Sequence, residues 1–351
     1  MSNRARALND LVDCLSGNVH APRDWRALVA LSSETLTIGS LADALLSVPA
    51  VLEMPQNIRD LLVDVRERAR QRNARLKGQF FELLAALNAI GIEPIVMRGM
   101  ARLLAGPGEE SRLLSDIDLL VPLGRLEDCT RALLELGYGH FRTSDEKDVP
   151  SVFCRSRDVG MVDVHTQLQP SYLKLGYDRL ASDCLSVDLG TGRILMPSPT
   201  CQLLFTIVHD QLHDGDYWRG LVDMRHLVDI HRIAAQGVNW TDLDGFFPPG
   251  SPKNALHVQL RTARALMKIE VPDEYCGGAW SAAQELRRRV QVHAALLRPL
   301  FTLLTLVVDP PPRSNSTPGG STTRTETAKE AARRRLDHYF RGANPGKLLL
   351  K

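Results

Sequence analysis

The sequence predicts an α+β protein with an α/β-like core held between two helical regions. Three observations predict it. Helical spacing of apolar residues fills the first ninety positions and resumes after residue 198. Between these stretches lie three short, β-branched apolar runs, Ile92–Met97, Ser115–Val121 and Val159–His165. Helix signals separate the runs, and helices alternating with strands make a layered core rather than a bundle. The 351 residues, 44% hydrophobic and 24% charged, suit a globular chain of two domains or three small ones. The expected organisation is a helical region over 1–90, the α/β-like core over 91–197, and a helical domain over 198–309. A linker over 310–325 and a tail over 326–351 follow.

Each element has its own signal. Leu8, Leu11, Val12 and Leu15 recur at helical spacing, as do Trp25, Leu28, Val29 and Leu31, then Leu41, Leu45 and Val48. Gln56–Ile90 is long and patterned, with Leu61, Leu62 and Val65 followed by Phe80, Phe81, Leu83, Leu84 and Leu87. Its basic middle, RERARQRNARLK, reads first as a solvated face and second as a nucleic-acid face. At Gly91 the character changes to the first β run. Gly99 then opens a helix over Met100–Ala105, and Pro122 ends the second run. Leu126, Cys129, Leu133 and Leu136 mark an amphipathic helix that Gly137 closes. Ser198 is the expected N-cap of the next helix, with Pro199 at its first position. Trp218–Ile230 reads as a second helix, and 253–307 as two more. Pro310–Thr323 is rich in Pro, Ser, Thr and Gly, as a flexible linker is, and Glu326–Tyr339 reads as a short charged helix.

Composition narrows the functional classes. Lys+Arg 43 against Asp+Glu 41 leaves a formal charge of +2, which argues against strong nucleic-acid binding by bulk charge. No apolar run is long enough to cross a bilayer, so no membrane role is expected. Asp10 and Asp13 stand where a secretory signal is apolar. Cys14, Cys129, Cys154, Cys184, Cys201 and Cys276 are scattered, with no C-x-x-C pair, so neither a zinc framework nor disulfides are expected. A cytoplasmic location follows as the expectation.

Chemistry concentrates in Ser115-Asp116-Ile117-Asp118-Leu119-Leu120-Val121. Side chains of a strand alternate faces, so Ile117, Leu119 and Val121 point into a core and Asp116 and Asp118 point the other way. Two close carboxylates repel unless a cation lies between them. Oxygen ligands suit Mg²⁺, or Mn²⁺ in its place, together with substrate phosphates. Taken alone, D-x-D also describes a solvated strand edge. Two neighbours add to it. Upstream, Arg98-Gly99 joins an apolar strand to a helix, where backbone N–H groups can meet a phosphate. Downstream, Val159–His165 repeats the alternation, with Val162 and Val164 on one face and Asp163 and His165 on the other.

This order of apolar strand, Arg98-Gly99, helix, Arg112, Ser115-Asp116-Ile117-Asp118, helix, Gly137-Tyr138 and Val162-Asp163-Val164-His165 resembles the nucleotidyltransferase fold of the DNA polymerase β superfamily. More narrowly, it resembles a bacterial nucleotidyltransferase-like family, over roughly residues 20–235. The resemblance implies a mixed sheet flanked by helices, a nucleoside triphosphate substrate and a divalent metal. It implies Asp116, Asp118 and Asp163 as metal ligands and catalytic residues, with Asp163 also the proton acceptor or its orienter. Arg98, Gly99, Arg112, Ser115 and His209 become candidates for nucleotide and phosphate contacts, and His165 for hydrogen-bonded support. The acceptor it leaves open, among a small molecule, a peptide or protein side chain and a tRNA end. The chain departs from the family pattern in Arg98 for the usual Lys, Met100 for the serine after Gly, and Asp163 for Glu.

A second cluster, His209-Asp210-Gln211-Leu212-His213-Asp214, carries alternatives. His209 and His213 share a helix face and can ligate a metal, but no Glu follows His209 as in zinc proteases. A His-Asp metal phosphohydrolase with Asp223 or Asp229 as a further ligand is one alternative. A non-catalytic nucleotide-binding protein is the other. The plainer reading has this helix pair pack on the core and line the nucleotide cleft, with His209, Trp218 and Asp223 near the base or acceptor.

Overall fold

In the computed structural model the three β runs become neighbouring strands of one sheet; the structure describes residues 3–48, 53–106, 108–142, 150–293, 295–312, 339 and 347–348. The strands are β1 (Ile95–Val96), β2 (Asp116–Leu120), β3 (Gly139–Arg142), β4 (Ser151–Cys154), β5 (Met161–His165), β6 (Cys184–Asp188) and β7 (Arg193–Pro197). Their order across the sheet is β3-β4-β5-β2-β1-β7-β6. β2 runs parallel to β5 and β1 parallel to β7, while the other neighbouring pairs are antiparallel. The protein is therefore α+β with a seven-stranded mixed sheet flanked by helices. The first β run shrinks to two residues, because Pro94 has no N–H to give the ladder and only its carbonyl accepts from Leu195.

Helices α1 (Asn3–Leu15), α2 (Trp25–Glu34), α3 (Ile38–Leu46) and α4 (Gln56–Ala89) precede the sheet, as the periodicity predicts. Asp24 caps α2 through its side chain, and α5 (Arg98–Ala105) and α6 (Leu126–Glu135) flank β2. Gly137, at φ +85°, ends α6 in the left-handed region that glycine adopts freely. After α7 (Tyr177–Ala181) and the β6–β7 hairpin, Ser198 caps α8 (Pro199–Ile207) with Pro199 in its first turn. The predicted helix over Trp218–Ile230 is instead three pieces: α9 (Asp216–Arg219), a short β8 (Val222–Asp223) and α10 (Met224–Ala234). Gly220, at φ +65°, causes the break. The helices after it are α11 (Trp240–Gly245), α12 (Ser251–Met267), α13 (Ala279–His293) and α14 (Arg298–Val308), one more than expected over 253–307. β9 (Lys347–Leu348) pairs with β8. Most of the predicted linker and tail helix lies outside the described residues.

Alternation along the central strands splits the apolar residues into two layers. Ile117 and Leu119 of β2, with Val121 just past its end, join Val162 and Val164 of β5 against Leu76, Phe80, Leu83, Leu84 and Leu87 of α4 and Leu133 of α6. The opposite face contributes Ile95, Met97 and Leu120 to a larger core built by α1–α3 together with α8, α10 and α12. α4 belongs to both, through Ile58 and Leu62 at one end and its second half at the other. At about 1.5 Å per residue it is a rod long enough to do so. Truncating fully buried Phe80 or Leu119 to alanine would cost about 2–5 kcal/mol each. Asp116, Asp118, Asp163 and His165 share the sheet face that carries Leu120. The six cysteines are free. Among the described residues no helix is long and apolar enough to cross a membrane.

Candidate active site

Parallel pairing of β2 with β5 sets Asp118 directly across from Asp163, and Leu120 across from His165. Residues opposite each other in a ladder point to one face, so the two strands bring their polar side chains together. Ligand atoms of Asp118, Asp163 and His165 all lie within 4.8 Å of one another, as a shared metal ion requires. His165 Nε2 is 3.3 Å from Asp118 Oδ1. Asp116 lies two residues before Asp118 on the same face and outside that closest group, with Ser115 hydrogen-bonded to it.

Arg98 enters this cluster from the start of α5. Its Nη2 lies 3.1 Å from Asp118 Oδ1. Its backbone is left-handed, at φ +48°, which costs a non-glycine residue about 1–3 kcal/mol and persists only where its surroundings enforce it. Burial alone would raise the Asp118 carboxyl; the Arg98 guanidinium and the His165 hydrogen bond outweigh it and hold the group at about 2. Asp116 moves the other way, raised by burial and by the charge of Asp118. Burial, with Arg98 adding to it, lowers His165. No side chain caps α5, since Met97 holds the N-cap position, so the first amides of the helix keep their anion-binding capacity. A Cβ on Gly99 would lie 2.9 Å from Arg112 Nη1 and 2.5 Å from Leu114 Cδ2. Glycine is what lets these side chains lie against the helix start.

Arg112 is more deeply engaged than a surface charge. Its Nε and Nη2 donate to the two oxygens of Asp229 on α10, at 3.0 and 2.6 Å. Burial would lower the guanidinium, and the facing Asp229 charge more than reverses that. The third nitrogen, Nη1, lies against Gly99. Asp229 also faces Arg102 at 3.8 Å, and Arg102 and Arg232 both pair with Glu109. The basic middle of α4 holds the segment leading into β2. Arg72 donates to the Leu114 carbonyl, Arg70 to the Ser111 hydroxyl, and Asn73 to the carbonyls of Glu110 and Arg112. Those α4 residues bind the protein's own chain, Arg72 and Asn73 through backbone carbonyls and Arg70 through side chains.

His209 closes the other side of a cleft that Arg98, His165, Phe205, Val208 and His213 also line. It sits in a π-helical turn, Val208–His213, that continues α8. Burial and the Arg98 charge push its imidazole well below the usual range, so the ring is neutral near pH 7. The His209-Asp210 pair does not act as one unit. His209 groups with His213 and Asp214, whereas fully buried Asp210 groups with Asp223 and His226. Two of the predicted cleft residues lie in the core instead. Trp218 is 1% exposed and its Nε1 donates to the Asp309 carbonyl; Asp223 caps α10 and pairs with Arg225. Sequence reasoning offers Asp229 only as a ligand of the phosphohydrolase alternative, whereas in the structure it holds Arg112; Glu109 and Arg102, which join the same ion-pair network, it does not find. Arg112 and Asp229 lie 117 positions apart, and no local pattern links them.

A mixed sheet with carboxylates converging from two parallel strands, beside an uncapped helix start and flanked by helices, is the layout of a nucleotidyltransferase core. The chain belongs to a family described as uncharacterised nucleotidyltransferase, whose model matches residues 21–266. Membership supports a transferase and implies a nucleotide substrate. No curated protein matches the chain.

Proposed function

We propose that the protein is a metal-dependent nucleotidyltransferase that moves a nucleoside monophosphate from a nucleoside triphosphate to an acceptor and releases pyrophosphate. The observation that carries this reading is the β2–β5 register, which sets Asp118 against Asp163 beside Arg98 and the uncapped start of α5. The core over 91–197 would hold the chemistry, and the helical regions 1–90 and 198–309 would frame it.

The donor set fits a hard divalent ion. Asp116, Asp118 and Asp163 offer carboxylate oxygens, and Asp118 and Asp163 already lie within reach of a common ion. When bound, Mg²⁺, or Mn²⁺ in its place, neutralises charge on the triphosphate and makes the acceptor hydroxyl more acidic. The rest falls to the chain. Arg98 and the first amides of α5 hold phosphate oxygens, with Gly99 allowing the close approach. Arg112, aimed by Asp229, presents Nη1 beside Gly99 to the same phosphates. Ser115 adds a hydroxyl, and His209 borders the nucleotide from the opposite wall. The acceptor oxygen forms a bond to the α-phosphorus. The bond from that phosphorus to the bridging oxygen breaks, its electron pair leaves with pyrophosphate, and Asp163 takes the acceptor's proton. Most of the acceleration comes from positioning and fixed charge. The acceptor classes are a small molecule, a peptide or protein side chain, and a tRNA end.

The test is incubation of the protein with each α-³²P-labelled triphosphate, Mg²⁺ and a cell extract. A labelled product that requires the metal and disappears in Asp118→Asn and Asp163→Asn is the expected result. Label transferred only when the triphosphate carries ³²P at the γ-position instead would redefine the reaction as phosphoryl transfer. Metal-dependent binding with no turnover, unchanged in both variants, would make the protein a nucleotide-binding protein without catalysis.

A further inference from the structure

On the cleft that Arg98 and His165 line lies a second group of donors with different chemistry. His209 and His213 stack with ring centroids 5.5 Å apart and planes at 21°, in the π-helical turn that ends α8. Asp214 follows directly, with its Oδ2 4.0 Å from His209 Nε2. One donor atom from each of the three residues lies within 4.8 Å of the others. A separation of 4.0 Å is too long for a hydrogen bond and wider than the roughly 3.4 Å between ligands of a tetrahedral ion with bonds of about 2.0–2.2 Å, so a small rotation of either side chain would bring the pair to ligand spacing. π-Helical turns inside α-helices recur at functional sites.

We propose that His209, His213 and Asp214 bind a divalent transition-metal ion of the zinc class, at a site separate from the carboxylates of β2 and β5. Two imidazoles and one carboxylate select a borderline-soft ion, whereas carboxylates with phosphates select Mg²⁺. Three protein donors leave an open coordination position, as in catalytic rather than structural zinc sites. Two of the three donors, His209 and His213, line the cleft that Arg98 and His165 share. His226, whose ring meets His209 edge-on at 5.9 Å, is engaged by Asp210 at 3.2 Å and does not compete for the ion. Arg98, whose charge acts on His209, is paired with Asp118 at 3.1 Å. The site rests on its own donors and stands whether or not the chain transfers nucleotides.

The test uses the whole chain, freed of metal with a chelator and titrated with Co²⁺ and then Zn²⁺. One equivalent of Co²⁺ should give visible d–d absorption that Zn²⁺ displaces. His213 is exposed, so His213→Ala should fold normally. That variant should bind Zn²⁺ more weakly by at least the roughly 10–100-fold that follows loss of a mere supporting partner. Asp214→Asn should weaken it as well, and Asp163→Asn should leave it unchanged. Zn²⁺ affinity that survives His213→Ala, or that falls with Asp163→Asn instead, overturns the proposal and places the ion among the β2–β5 carboxylates. Failure of both variants and wild type to bind Zn²⁺ overturns it as well.

Discussion

Replacing Arg98 by methionine removes the cation that neutralises Asp118 and keeps most of the side-chain volume. Asp118 is held at about 2 against an ordinary 3.8. At about 1.36 kcal/mol per pKa unit, its ionised form is stabilised by about 2.5 kcal/mol relative to the unfolded chain. Burial is already the largest single influence, and without Arg98 only His165 and His209 oppose it, so the carboxyl should rise above its ordinary value. Breaking a buried pair costs about 3–5 kcal/mol, and with Arg98 23% exposed the lower end, about 3 kcal/mol, applies. The sign of the pH dependence should also reverse. In the wild type the folded carboxyl lies below its unfolded value, so its contribution is complete above about pH 4 and is lost as pH falls toward 2. In Arg98→Met the folded carboxyl lies above its unfolded value, so stability declines as pH rises from about 4. Urea unfolding in EDTA, at several pH values, measures both effects. Added Mg²⁺ should then stabilise Arg98→Met more than the wild type, because the ion no longer competes with a guanidinium. Asp118→Asn in the Arg98→Met background should recover most of the lost stability. A variant as stable as wild type in EDTA, or one that gains nothing from Mg²⁺, would refute the view that Arg98 offsets the carboxylate charge.

Three further outcomes are expected. Burial and Asp118 raise Asp116, so ionising it opposes folding and stability falls as pH climbs through its folded value; Asp116→Asn should therefore unfold at higher urea than wild type at neutral pH in EDTA, while losing Mg²⁺-dependent nucleotide binding in calorimetry. Gly99→Ala puts a Cβ against Leu114 Cδ2 and against an Arg112 that Asp229 holds in place, so it should cost about 1–3 kcal/mol in denaturant unfolding and weaken triphosphate binding together. Asp229→Leu leaves Arg112 and Arg102 buried without their shared carboxylate and should lose about 3–5 kcal/mol; Arg112→Lys should not be silent either, since an ammonium cannot span both Asp229 oxygens, and circular-dichroism melts of the two variants check this.

The parts of the fold legible in sequence were those whose physics is local. Period-two alternation identified β2 and β5 because one face of each is fully apolar, as Ile117, Leu119, Val162 and Val164 show. The same alternation put Asp118, Asp163 and His165 on one face before any pairing was known. β3, β4, β6 and β7 escaped because alternation fades away from the centre of the sheet: β6, as long as β2, reads Cys-Leu-Ser-Val-Asp, with Leu185 73% exposed. Trp218–Ile230 looked like one helix because its apolar spacing is helical on both sides of Gly220, and only the glycine's positive φ divides it. The Arg112–Asp229 fork joins residues brought together by tertiary packing, so the sequence marked Arg112 by its position but not by its partner.

Charge balance gives a separate reason to expect a cation among the β2–β5 carboxylates. Asp116, Asp118 and Asp163 stand on one face, and Arg98 pairs with one of them. The other nearby guanidiniums are committed: Arg112 to Asp229, and Arg102 to Glu109. The histidines do not make up the difference, because burial pushes His165 down and pushes His209 well below its usual range. Asp116, raised first by burial and then by the charge of Asp118, feels a repulsion from its neighbour that Arg98 and Arg112 only partly offset. A divalent ion would remove it. Were the acidic face only an ion-paired strand edge, Arg112 or either histidine could have supplied the missing charge at short range. Instead Asp229 holds Arg112 back with two hydrogen bonds and leaves Nη1 pointing to the start of α5, an arrangement that favours an incoming phosphate over a resident carboxylate.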